Sequence, residues 1–185
     1  MRRLLVIVLL FVATPARADD PWQAGVSADV QAKANSLFAE ANALFAREAH
    51  GRALEKYREA ITLWDHPLIR FNLAVTLIRL DRILEAAANL DGALRYGAAP
   101  FQPETYRQAL DYQRLVRGRV AIVRARCAQD GVQVALDGKA WLRCPADNHQ
   151  RVLSGEHLLV AQQDGYQTKM QTIDMKSSCP SFSSC

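Results

Sequence analysis

The sequence predicts a multi-domain chain, all-α helical hairpins followed by a small all-β sandwich. Two observations carry this expectation. Ala41, Leu44, Ala53, Tyr57, Ala60 and Ile61 recur thirty-three residues later as Ala74, Leu77, Ala86, Leu90, Ala93 and Leu94. A period of that length denotes stacked supersecondary units, none of which can bury its apolar face alone. Past Gly118 the apolar spacing then changes from helical to alternating, the mark of half-buried strands.

The first residues set the compartment. Arg2 and Arg3 form a basic start, Leu4 to Ala13 is apolar, and Ala16-Arg17-Ala18 reads as a small-residue cleavage site. Residues 1–18 are therefore expected to be a secretory signal, with the mature chain beginning near Asp19. The apolar run is short for a bilayer span, and no later stretch is long and apolar enough. No transmembrane segment is expected after signal cleavage. Of the formal net charge of +4, three units are Arg2, Arg3 and Arg17. The mature chain is thus nearly neutral, without the basic field that would attract nucleic acid.

Residues 19–33 read as an extended lead-in, with Pro21, Trp22 and Gly25, followed by a helix start. Ser27 is a good N-cap, and Leu37, Ala41 and Leu44 share a stripe on the first helix, which is expected to end by Gly51. A second helix runs from about Arg52 to Trp64, and Asp65-His66-Pro67 breaks the chain. The helix from Leu68 to Leu80 is apolar almost all round, as a helix buried on more than one side should be. The next spans about Arg82 to Tyr96 and stops at Gly97. Pro103 suits the first position of a further helix, to Val116. It is mostly polar and reads as the cap of a helical region covering residues 34–117.

Gly118 is the joint. Beyond it, Val120 and Ile122 alternate with Ala121 and Val123, and Val132, Val134 and Leu136 alternate with Gln133, Ala135 and Asp137. Asp137-Gly138 is a hairpin signal. Further strands are expected at Gln150 to Leu153, His157 to Ala161 and Thr168 to Met175, with turns at Ser154-Gly155 and Asp164-Gly165. Strands so spaced over residues 119–175 suggest an antiparallel sandwich. Residues 176–185 form a Ser/Cys-rich tail.

All four cysteines, Cys127, Cys144, Cys179 and Cys185, lie in the last third. An even count in an exported chain favours disulfides, and four allow three connectivities. The close Cys pairs of a zinc site are absent. Cys127 ends the first strand, and Cys144 follows the Asp137-Gly138 hairpin, so its strand can return beside the first. The expected bridge is Cys127–Cys144, with Cys179–Cys185 as a local pair.

The doubled helical pattern, with Asn72-Leu73-Ala74 and Glu85-Ala86, resembles a pair of tetratricopeptide repeats. Asp130-Gly131-Val132, Asp137-Gly138-Lys139, Cys144-Pro145, Gly155-Glu156-His157 and Gly165-Tyr166 resemble, in order and spacing, a PEGA domain, a small extracytoplasmic β module. Gln129-Asp130-Gly131-Val132 stands where Pro-Glu-Gly-Ala would be. The first resemblance implies a protein-binding scaffold whose concave groove is lined by the first helix of each hairpin. Carried over position by position, the groove is Phe38, Asn42, Phe45, Phe71, Val75, Ile78 and Arg79. The lysines that clamp a peptide carboxylate in some members have no counterpart here. The face is largely apolar, and either a docked peptide or helix fills it, or the capping helix or β module does.

No catalytic residues, metal site or cofactor are expected. His50, His66, His149 and His157 lack a carboxylate or Cys at ligand spacing on a helix. Glu156 and His157 are adjacent on a strand, so they point to opposite faces. No nucleophile elbow, P-loop or dinucleotide fingerprint is present. Arg114, Arg117, Arg119, Arg124 and Arg126 gather at the joint, and read as a solvated face rather than a polyanion site. The expected function is a non-enzymatic, exported interaction scaffold of the bacterial envelope, periplasmic or at the cell surface, with a protein or peptide partner. The alternative is an envelope- or wall-polymer-binding module acting through the β domain.

Overall fold

The computed structural model describes residues 20–177. The expected signal segment, Cys179, Cys185 and all but the start of the tail lie outside the described residues. Five helices come first: α1 (Ala28–Ala46), α2 (His50–Leu63), α3 (Pro67–Arg79), α4 (Ile83–Ala93) and α5 (Pro103–Arg117), with one 3-10 turn, Leu94–Tyr96, closing α4. Six strands follow: β1 (Val120–Cys127), β2 (Gln133–Leu136), β3 (Lys139–Arg143), β4 (Ala146–Leu153), β5 (Gly155–Gln162) and β6 (Lys169–Met175). The layout is helix-then-sheet.

The thirty-three-residue spacing holds at the level of the backbone. Between α1 and α2, Glu48 takes a left-handed conformation (φ 58°), and the Ala49 amide donates to the Leu44 carbonyl at 3.0 Å. Between α3 and α4, Asp81 does the same (φ 55°), and the Arg82 amide donates to the Leu77 carbonyl at 2.9 Å. These bonds satisfy carbonyls that a helix end would otherwise orphan. They also correct the expected boundary, because α1 stops at Ala46 and Gly51 lies inside the first turn of α2. The repeated small residues Ala41, Ala53, Ala74, Ala86 and Ala93 are all fully buried where the helices cross.

Helix α3 is buried on several sides, with Ile69, Phe71, Leu73, Ala74 and Leu77 all inside. The buried Thr76 hydroxyl donates to the Asn72 carbonyl at 2.8 Å, so no polar group is stranded there. Its N-cap is His66, whose Nδ1 accepts from the Leu68 amide. Residues 21–25 form a turn rather than an extended lead-in. Trp22 buries itself beside Trp64, His66 and Tyr96, and its carbonyl accepts from Trp64 Nε1 at 2.6 Å. A large apolar ring in that segment is better hidden than extended.

The strands form two antiparallel sheets. One is the pair β1–β4; the other has the order β3-β2-β5-β6. Ala121, Val123 and Val152 of the first share a core with Leu136, Trp141, Leu159, Ile173 and Met175 of the second. Asp137 and Gly138, both at positive φ, make the two-residue turn into β3. Strand β4 begins at Ala146, earlier than the expected Gln150, and pairs along its length with β1. Cys127 and Cys144 are bridged, their Cα atoms 5.6 Å apart. The pairing is as expected, but the reason differs. The strand before Cys144 lies beside β2; the strand after it, β4, returns beside β1. The bridge therefore joins the two sheets where the chain crosses between them.

Helices and sheet are fastened together. Val116 of α5 and Val120 of β1 are buried in one cluster with the helical core. The Ser154 amide donates to the Arg119 carbonyl at 2.9 Å, Arg119 pairs with Asp81 at 2.8 Å, and Arg151 pairs with Asp91 at 2.6 Å. No helix among the described residues is long and apolar enough to cross a membrane.

Candidate functional site

A cleft of about 270 Å³ opens where α1, α3 and α5 face one another. Helix α1 supplies Asn42 and Phe45, three residues apart on one face; α3 supplies Phe71, Asn72 and Val75. Helix α5 supplies Gln108 and Tyr112, one turn apart, and Tyr57 reaches in from α2. A second, contiguous cleft of about 410 Å³ continues along α5 past Gln108, Asp111 and Tyr112 to Leu115. Leu115 is 51% exposed, a large apolar side chain at the open end of this trough.

The floor of the first cleft is polar and fixed. Asn42 Oδ1 accepts from the Tyr57 hydroxyl at 2.6 Å and from Asn72 Nδ2 at 2.9 Å. That uses the acceptor of Asn42 and orients its amide nitrogen as a donor, while Asn72 keeps its carbonyl oxygen as an acceptor. Burial pushes the Tyr57 phenol up to about 12, against a smaller opposing effect of the neighbouring Asn72 side chain. Tyr57 therefore stays a neutral donor throughout the physiological range. The walls are aromatic: Phe71 meets Phe101 edge-on at 6.3 Å and Tyr112 at 6.1 Å. None of the eight residues lining the first cleft is charged. The arrangement can hold an uncharged amide or an apolar side chain against a fixed carboxamide pair.

Of the expected groove residues, Asn42, Phe45, Phe71 and Val75 come together in this cleft. Phe38 packs on Tyr57 at 5.9 Å instead, between the two helical clusters. Ile78 is half-buried against the main core, and Arg79 is exposed at the end of α3. Tyr57, Asn72, Gln108 and Tyr112 belong to the cleft and were not expected there. The spacing of Gln108 and Tyr112 on one face of α5 is the signal that could have found them. Phe71 itself is only 5% exposed, covered by Phe101 and Tyr112, so the capping helix fills part of the face and leaves the trough beside it.

The remaining candidates sort by their contacts. The His50 ring lies 4.9 Å from Phe45, behind the cleft wall. His66 is enclosed by the two tryptophans, and burial lowers its pKa, more than Asp20 raises it; a neutral ring suits its role as acceptor in the α3 cap. His149 is exposed on β4 opposite Arg124. His157 pairs with Asp137, twenty residues upstream, and not with Glu156. The arginines at the joint are largely neutralised, with Arg114 on Asp111, Arg119 on Asp81 and Arg126 on Asp147. Among the described residues no group of three or more His, Cys, Asp or Glu is placed to hold a metal ion. No protein-family model and no curated protein matches the chain.

Proposed function

We propose that this chain is an exported, non-enzymatic interaction scaffold of the bacterial cell envelope, periplasmic or at the cell surface. In this reading a tetratricopeptide-like helical part docks a protein partner, and a PEGA-like sheet carries it. The observation that supports it is the trough along α5, whose inner end combines aromatic walls with the oriented Asn42–Asn72 amide pair. An uncharged lining with fixed amide donors and acceptors suits a peptide segment or helix bearing an apolar anchor. The sheet favours a second reading, binding of an envelope or wall polymer, because Tyr166 and Met170 are each 68% exposed there.

The test uses the full mature chain. Gln108→Arg and Val75→Asp each place a charge at the cleft, and Gln108 is exposed, so its replacement should leave folding intact. Affinity purification from the native envelope should recover a protein partner with the wild type and lose it with both variants, the Gln108→Arg melting temperature staying within a few degrees of wild type. Retention unchanged in both variants but lost in Tyr166→Ala would reject the groove in favour of polymer binding through the sheet.

A further inference from the structure

We infer that His157 is a proton-operated latch that ties the β2–β3 turn to the β4–β5 crossover, next to the joint between helices and sheet. Both ring nitrogens face acceptors. Nδ1 lies 2.6 Å from Asp137 Oδ2, and Nε2 lies 2.7 Å from the Leu153 carbonyl oxygen. A neutral imidazole has one N–H and can donate to only one of them; the imidazolium donates to both. The His157 side chain is 11% exposed, so the ring itself has little contact with water, whereas its Asp137 partner is 46% exposed.

The two acceptors belong to different parts of the sheet region. Asp137 sits at positive φ in the β2–β3 turn, its other carboxylate oxygen accepts from the Leu158 amide at 2.9 Å, and its own amide donates to the Leu158 carbonyl at 2.9 Å. Leu153 ends β4 in the two-stranded sheet and pairs with Val120, the first residue of β1. The next amide, Ser154, donates to Arg119. One ring thus connects the four-stranded sheet, the two-stranded sheet and the segment that leads back to α5.

The surrounding charges favour the proton. Asp137 faces the ring from the β2–β3 turn, with Lys139 acting on Asp137 from β3. The crossover presents only the Leu153 carbonyl, and β6 places Ile173 opposite His157. The neighbouring charges, Glu156 on β5 and its partner Asp174 on β6, alternate to the other face of the sheet. The hydrogen bond to Asp137 raises the His157 pKa most, then that to Leu153, against a smaller opposing effect of burial. The folded chain therefore holds this proton more tightly than the unfolded chain. The latch is complete below the ordinary histidine value of about 6.5 and is lost as the pH rises through the raised folded value.

Two measurements on the full mature chain test this. Ring ¹⁵N shifts should show both nitrogens protonated at about pH 6, and a midpoint above the free-histidine value. Exchange of the Leu158 and Asp137 amides, corrected for intrinsic chemistry, should show local opening rising about tenfold or more from pH 6 to pH 9. Amides in α3 should not change in that way. In His157→Gln, which cannot titrate, the opening should be flat with pH. A ring midpoint below the free value, or the same pH-dependent opening in His157→Gln, would overturn the latch. The ring titration is read in the wild-type chain, so it decides the question even where the variant does not fold.

Discussion

Truncating Phe71 should loosen α5 from the helical stack, and the size of the loss can be worked from its surroundings. The ring is 5% exposed, with Phe101 and Tyr112 against it from the capping side. Removing a buried phenylalanine side chain costs about 3–5 kcal/mol, of which each aromatic pair supplies about 0.5–1.5 kcal/mol. Helix α5 also packs along α4. Ala109 and Val116 are buried, and Gln113 donates to Asp91 at a long 3.3 Å. A fifteen-residue helix that is mostly polar does not hold its shape in water once undocked. Phe71→Ala should therefore lower unfolding stability by about 3 kcal/mol or more in urea. It should also speed tryptic cleavage after Arg107, Arg114 and Arg117, which all lie on α5. Val75→Ala, at a half-buried site beside it, should cost about 1 kcal/mol and leave cleavage slow. A Phe71→Ala loss below about 1 kcal/mol, with cleavage unchanged, would show that α5 is held by contacts other than this aromatic cluster.

Two further outcomes follow from single contacts. Replacing Cys127 and Cys144 together by alanine opens a loop spanning a sequence separation of 17. It should cost about 3 kcal/mol, read as a urea midpoint that no longer differs between oxidising and reducing buffer. Burial gives Tyr57 an ionisation value of about 12. Absorbance titration of Tyr57→Phe should lack the step near that value, and the lost hydrogen bond to Asn42 should cost about 1 kcal/mol.

The helical part was legible because its crossings use small residues at a fixed interval. Ala41 and Ala74, or Ala53 and Ala86, can be read as a repeat before any coordinates exist, and each proves fully buried. The turns between paired helices were not legible, because the chain does not use the nearby Gly51. Glu48 and Asp81 accept a left-handed backbone that costs a non-glycine residue about 1–2 kcal/mol, offset by the amide–carbonyl bonds that close each helix. Strand β3 gave no signal: Trp141 and Leu142 are adjacent rather than alternating, and the strand lies at a sheet edge. The first half of β4 faces solvent and carries no apolar pattern, so only its end was visible, around Val152. The pairing of His157 with Asp137 depends on the β2–β5 register, which no local pattern encodes. The groove was read from α1 and α3 alone. That omitted the wall made by α5 and kept Phe38, Ile78 and Arg79, which do not line the cleft.

Two hairpins are few for a helical stack, since each unit needs a neighbour to cover its apolar face. Here α5 covers one end of α3, and the sheet supports α5 in turn. The ion pairs across the joint, Arg119–Asp81 and Arg151–Asp91, are partly exposed, and each such pair is worth about 0–1 kcal/mol. They orient the sheet but do not supply most of its attachment. Val116 and Val120, buried in one cluster on either side of the exposed residues 117–119, are the stronger tie, because fully burying a valine is worth about 1.5–3 kcal/mol. The position of the α5 wall, and hence the width of the trough, is therefore set from both sides, by Phe71 within the helices and by Val120 at the root of the sheet. A change at the sheet's root can alter the trough without touching any residue that lines it.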